Sequence, residues 1–340
     1  MPRFKKSAPS APGASPASPL AGLALAAALA AGLLAPASAA RANAAADAAD
    51  VAVLSAPAAA PILLGETHRL RSAYLSEERT YRLRLPPEIA SADSAREVTL
   101  LLVLDADSLF APAVVFAEML ESAGAAAPVV VVSVKSAEGP GRVRDFTQAA
   151  SRSGRNGLIN ERMPLRGGGA EAFHSFMEEE LFEDVARRLP SGVRITRSVL
   201  AGAGFEGLFA IGELLRHPGC FDGFAAIDPA LWWDRGSLTG RAVRSGARGA
   251  AEGARMPALF LAFPRAGEDP EDAFAAREVA TFRRGAVPAL AGQGVAVTIR
   301  DFEDETSASV RPAALWAAMR ALLPAPSAAG LASRDAGDLK

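Results

Sequence analysis

The stretch from Ile195 to Gly207 constrains the fold of this chain more than any other. An apolar run over residues 195–201 breaks off at Gly202-Ala203-Gly204, and a helical pattern starts at Gly207-Leu208-Phe209-Ala210. A strand that turns this sharply into a helix needs small residues at the turn, because they accept strained backbone and close approach. Such a unit belongs to a sheet of parallel strands connected by helices.

The flanking sequence repeats the alternation. Residues 98–104 and 129–134 are continuous apolar runs, as strands buried on both faces require. Helical spacing runs through 111–123, and again from Gly169 through Phe173, Phe176, Met177, Leu181, Phe182 and Val185. Residues 224–227, 259–263 and 295–302 read as further strands, 272–290 and 312–323 as helices. Near the start, 66–72 and 79–85 alternate with period two about Ser76-Glu77-Glu78, which predicts an antiparallel hairpin with Leu83 and Leu85 on one face and Arg82 and Arg84 on the other. The polar segment 135–168 is rich in Gly and Arg and has no strong period, and a helical excursion is expected in 237–255. The expected class is α/β, with a mostly parallel central sheet, helices on both faces and an N-terminal antiparallel hairpin. Ligands bind such sheets at the carboxyl ends of the strands. Those ends fall here at Asp105, 133–135, 202–206, Asp228, 264–268 and 303–309.

Half of the 340 residues are hydrophobic and 22% are charged, enough for one large domain or two small ones. A net charge of -2 argues against a nucleic-acid partner. Three histidines and a single cysteine, Cys220, supply neither a zinc cluster nor a disulfide framework, so no metal and no cofactor are expected. Residues 1–40 read as a signal peptide: Arg3, Lys5 and Lys6 are followed by an apolar stretch and by Ala37-Ser38-Ala39 at a small-x-small cleavage site. The expected location is periplasmic or secreted, with no membrane association after cleavage. Residues 41–62 read as a flexible leader, 63–324 as the folded domain and 325–340 as a disordered tail.

Several segments together resemble the esterase D and enterochelin-esterase-like group of α/β-hydrolases, over about residues 65–323. Leu104-Asp105-Ala106-Asp107-Ser108-Leu109-Phe110 is similar to the group's L-D-G-D-x-L-F segment, and Arg144-Asp145-Phe146-Thr147 to its R-D-F-T segment, with Gln148 where the group has proline. Gly167-Gly168-Gly169-Ala170-Glu171-Ala172-Phe173 resembles its G-G-A-x-x-F helix start. Arg216-His217-Pro218, Phe221-Asp222 and Asp228-Pro229-Ala230-Leu231-Trp232-Trp233 resemble R-H-P, F-D and S-P-S-L-W-W. The resemblance implies the α/β-hydrolase fold, a serine on a nucleophile elbow, a histidine base and an acid.

The departures fall on that chemistry. Where the group has G-H-S-F-G-G, this chain has Gly202-Ala203-Gly204-Phe205-Glu206-Gly207, so Gly204 stands at the nucleophile position. Where the group has E-T-H-G-S-V, this chain has Glu305-Thr306-Ser307-Ala308-Ser309-Val310, so Ser307 stands at the base position. Glu268, with Asp269 next to it, takes the position of the acid. Ala106, Asp107 and the backbone N–H of Phe205 form the oxyanion-hole-like set. Acyl transfer needs a nucleophile and a base in hydrogen-bond contact, and losing either costs a model serine protease about 10⁶ in kcat. Neither His68, His174 nor His217 aligns to a strand end facing the elbow. Negligible turnover follows, with binding of a small-molecule ligand or a protein partner through a cleft formed by Asp145, Glu206, Asp228, Trp232 and Trp233. The alternative is an active carboxylic-ester hydrolase with a rearranged site. Glu206 itself has two readings: a residue favoured by the helix N-terminus, or a carboxylate filling the place of an oxyanion.

Overall fold

The structure, a computed structural model, describes residues 61–90, 96–162, 164–246, 256–267 and 270–325. The expected signal peptide, leader and tail lie outside those residues, apart from 61–62 and 325, and so does Glu268. From Ile62 onward the chain clusters as one compact unit.

Among the described residues ten strands run in chain order: β1 Glu66–Arg71, β2 Glu78–Arg84, β3 Arg96–Leu104, β4 Val129–Val134, β5 Ala150–Ser151, β6 Arg166–Gly167, β7 Val193–Ala203, β8 Gly223–Ile227, β9 Ala258–Pro264 and β10 Ala296–Phe302. Eight of them form one sheet in the order β1-β2-β4-β3-β7-β8-β9-β10. The hairpin β1–β2 is antiparallel, β2 joins β4 antiparallel, and every pairing from β4 to β10 is parallel. The continuous apolar strands sit at the centre, where both faces are covered: all six residues of β4 are buried, as is β3 from Val98 onward.

Helices α1 Pro87–Ala90, α2 Ala106–Ser122, α3 Pro140–Phe146, α4 (residues 170–188), α5 Phe205–Arg216, α6 Ser237–Gly246, α7 Pro270–Gly292 and α8 Val310–Leu322 fill the connections. Helices α2 and α8 pack on one face against Leu101, Val103, Ala225 and Phe260. The other face holds an edge-to-face aromatic group, Phe146, Phe173 and Phe209, with ring centroids 4.9–5.7 Å apart. Each such pair adds about 0.5–1.5 kcal/mol beyond its buried area. Within α4, Phe176–Leu181 is π-helical, which the amphipathic spacing did not reveal.

Three local differences from the sequence expectations have identifiable causes. Helix α2 begins at Ala106, well ahead of residue 111, because Asp105 adopts φ 71° and turns β3 directly into the helix. Arg84, on the face opposite Leu83, is only 4% exposed, because its guanidinium donates to both oxygens of Glu121 in α2 at 2.9 Å and to the Val129 carbonyl at 3.0 Å. The segment 135–168 contains α3, with proline in its first turn, and the two-stranded ribbon β5–β6.

Candidate active site at the strand ends

Strand β7 ends at Ala203, Gly204 forms the turn with φ 67° and ψ -117°, and α5 starts at Phe205. The turn is pinned by three backbone hydrogen bonds: Gly204 N–H to the Ile227 carbonyl at 2.9 Å, and the Leu208 and Ala230 N–H groups to the Gly204 carbonyl, both at 2.9 Å. Its glycines differ in purpose. A Cβ on Gly202 would lie 2.6 Å from the backbone of Glu206, so strand and helix touch there with no side chain between them. A Cβ on Gly204 would meet only Arg142 Nη2, at 3.8 Å. There the constraint is conformational, since positive φ suits glycine.

Glu206, in the first turn of α5, is fully buried. Arg142 of α3 donates through Nε to Oε1 at 2.6 Å and through Nη2 to Oε2 at 2.5 Å, and Ser136 Oγ donates to Oε1 at 2.9 Å. This two-pronged hydrogen bond holds the Arg142 guanidinium above its ordinary pKa, against the cost of burial, with Asp105 adding to the effect. The same guanidinium that neutralises Glu206 therefore stands beside the tip of the elbow. Asp105, at the end of β3, accepts from Arg311 at 3.2 Å. The backbone N–H of Phe205, at the first position of its helix, has no acceptor within that helix. Ala106 is buried and its carbonyl accepts from Arg82 at 2.5 Å, while Asp107 is exposed and pairs with Arg82 at 3.0 Å.

Beyond the elbow a cavity of about 140 Å³ opens at the ends of β8, β9 and β10. Asp228, Ser307, Trp232, Arg155, Asp272 and Phe263 contribute to its wall. Burial pushes the Asp228 carboxyl up, opposed by a hydrogen bond from Ser307 and by Arg155 and Arg311. Arg155 Nε donates to Asp272 at 2.6 Å. The elbow and this wall join through an aromatic cluster, with Phe205 5.5 Å from Trp232 and 5.4 Å from Trp233 between centroids.

Of the residues expected in the cleft, Asp228 and Trp232 line the cavity, and Ser307 from the base position joins them. Glu206 does not; it is sealed under Arg142. Trp233 is 3% exposed and its indole N–H donates to the Ala149 carbonyl at 2.9 Å, so it anchors the loop. Asp145 is fully buried in a clamp of Arg79 and Arg144, the latter at 2.7 Å, and belongs to a packing network with Glu77. Sequence reasoning missed Arg142, Arg155, Asp272 and Arg283. The arginine content of the patternless segment 135–168 was the available signal for the first two.

The histidines lie elsewhere. His174 and His217 stack at 3.7 Å with 7° between planes, and His174 is bonded to Glu213 at 2.7 Å and Glu178 at 3.0 Å. His174, Glu213 and His217 have ligand atoms within 4.8 Å of one another, a convergence the expectation of no metal did not foresee. The hydrogen bond to Glu213 raises the His174 pKa, against the cost of burial. His68 pairs with Glu66 at 3.1 Å on the edge hairpin.

The strand order, the elbow and the placement of the cleft define an α/β-hydrolase fold. No protein-family model matches the chain. A siderophore enterobactin esterase of Emericella nidulans is 32% identical over 100 residues, 29% of this chain and 33% of that protein. The ferri-bacillibactin esterase BesA of Bacillus subtilis is 30% identical over 112 residues, 32% of this chain and 38% of that protein. The matches thus span about a third of the length of these curated relatives. Among solved structures, an IroE-like serine hydrolase from Shewanella oneidensis superposes with a TM-score of 0.62 at 24% identity, covering 76% of this chain and 79% of that one. The siderophore hydrolase EstA of Aspergillus nidulans gives 0.62 at 22% identity, covering 77% and 96%. The fold is thus that of the α/β-hydrolases, and about a third of the chain is similar in sequence to siderophore esterases. Among the described residues no helix is long and apolar enough to cross a membrane.

Proposed function

We propose that this chain is an exported, catalytically silent member of the enterochelin-esterase-like group that binds a small ligand in the cavity beside the former nucleophile. One observation carries the reading: at the elbow, where a serine would stand, Gly204 has no side chain, and Arg142, locked to the fully buried Glu206, lies beside the vacated position. A carbonyl placed there meets no nucleophile. At the base position a serine hydroxyl bonds Asp228 instead of an imidazole. The backbone machinery of the elbow remains, and in a model serine protease such a remnant gives only about 10³ over water. The cavity keeps an aromatic wall, Trp232, and charged groups on its rim. That mix suits a small organic molecule with a polar end, and the esters handled by the relatives, or fragments of them, are the first ligands to try.

A second reading, an active carboxylic-ester hydrolase with a rearranged site, draws on the contact between Ser307 and Asp228. The two separate in one experiment. The protein is assayed on p-nitrophenyl acetate and butyrate and treated with a serine-reactive phosphonate. The silent reading expects no turnover and no labelling by the native chain. It expects turnover in a variant carrying Gly204→Ser, Ser307→His and Glu206→Gly together. Native turnover or labelling that disappears in Ser307→Ala overturns it.

A further inference from the structure

A second cavity, of about 240 Å³, lies between α5 and α6, and shares no lining residue with the cleft at the strand ends. Arg216, Arg241 and Arg244 face it, together with Gln148; Leu215 and Leu238 supply apolar wall. Three guanidiniums on one small cavity repel each other unless acids intervene, and here the compensation is thin. Arg216 donates to Glu213 Oε1 at 2.7 Å and lies 3.8 Å from the exposed Glu171, but the other oxygen of Glu213 is held by His174 and neither acid is shown to reach Arg241 or Arg244. The hydrogen bond that Arg241 makes is to a neutral partner, Ser237 Oγ, at 3.3 Å. Burial and then the neighbouring Arg216 push the Arg241 pKa down, Asp234 opposes them, and Arg244 adds the smallest downward effect.

The donors are also left open. Among the described residues the Nε of Arg241 and the Nε2 of Gln148 are buried and have no hydrogen-bond partner, and the Nε of Arg216 has only the Glu171 carboxylate, at 3.8 Å. Unpaired buried donors of this kind destabilise a fold, so a group of them around one cavity points to an acceptor that completes them. Gln148 is this chain's own feature: proline stands there in the group it resembles, and proline has no side-chain donor. A glycine makes room for it, since a Cβ on Gly212 would lie 1.7 Å from Gln148 Nε2.

We propose that this cavity is a second ligand site, which takes a phosphate-type oxyanion, either free or at the end of a small organic phosphate. Planar guanidiniums match the oxygens of such a group, and the volume exceeds that of a few waters, leaving space over Leu215 and Leu238 for an organic portion.

The test is calorimetric titration of the full chain with inorganic phosphate and with phenyl phosphate, at constant ionic strength set by chloride. Saturable binding by the native chain is expected. The double variant Arg241→Gln, Arg244→Gln should weaken it about tenfold or more, Gln148→Leu should weaken it by a smaller factor, and Arg155→Gln, in the other cleft, should leave it unchanged. Equal affinity for the two ligands assigns the site to the free anion, and tighter binding of phenyl phosphate to an organic phosphate. Absence of saturable binding by the native chain overturns the proposal. So does a double variant, or a Gln148→Leu variant, that binds like the native chain, and so does loss of binding in Arg155→Gln. Gln148→Leu keeps the test decisive if the double variant does not fold.

Discussion

Two charged sites on this molecule handle the same problem in opposite ways. At the elbow a buried carboxylate, Glu206, meets one arginine in a two-pronged bond plus a serine hydroxyl, and its charge is matched within the protein. Between α5 and α6, three arginines line one cavity, Arg216 alone of them pairs with Glu213, which also holds His174, and two buried donors, on Arg241 and Gln148, have no partner among the described residues. The first site is closed by its own side chains. The second is incomplete until something arrives. A hydrolase elbow works by being open towards substrate, and here its tip stands beside a guanidinium already bound to Glu206.

The comparison can be broken by mutation. The largest effect is expected from Arg142→Ala, which strands a fully buried carboxylate and should cost about 3–5 kcal/mol in denaturant unfolding. Glu206→Ala should cost less, because the Arg142 side chain is 32% exposed and can turn to water. The double variant should recover part of the loss, and strict additivity of the two single effects would show that the pair is not coupled. Next comes Gly202→Ala, at about 3 kcal/mol, since its methyl group would strike the Glu206 backbone. Gly204→Ala, with open space above it, should pay only for its positive φ, about 1–3 kcal/mol. By contrast Arg241→Gln with Arg244→Gln should shift stability by no more than about 0.5 kcal/mol without added phosphate. A loss as large as that of Arg142→Ala would mean those arginines are already satisfied.

The smallest effect expected is a pH dependence at the edge of the second site. The folded His174 has a pKa raised above 6.5 by its bond to Glu213, with Glu178 and Glu171 adding to it and burial opposing. Its contribution to stability is therefore complete below pH 6.5 and fades as the pH rises through the raised value. Glu213, Glu178, Glu171, Arg216, His217 and Cys220 surround it. Cys220, pushed up to about 11 by burial and nearby acids, stays a thiol across that range. His174→Gln should flatten the stability profile above pH 6.5, and an unchanged profile would assign the dependence to another group.

Much of the fold was legible because it rests on local periodicity. The apolar runs that became β3, β4, β7, β8 and β9 are read from a handful of consecutive residues, and parallel strands buried on both faces leave no alternation to misread. The elbow, too, was written in Gly202 and Gly204, whose roles follow from missing side chains. The absence of serine and histidine at 204 and 307 is a fact of sequence alone. Tertiary structure decided how the remaining charges meet. Arg142 and Glu206 are 64 positions apart, Arg216 and Arg241 belong to different helices, and Asp145 proved to be locked between its neighbour Arg144 and Arg79 of β2. Periodicity reports which face of an element is buried. It carries no information about which charge on another element arrives to balance it, and on that balance depends whether a site is plugged or left open.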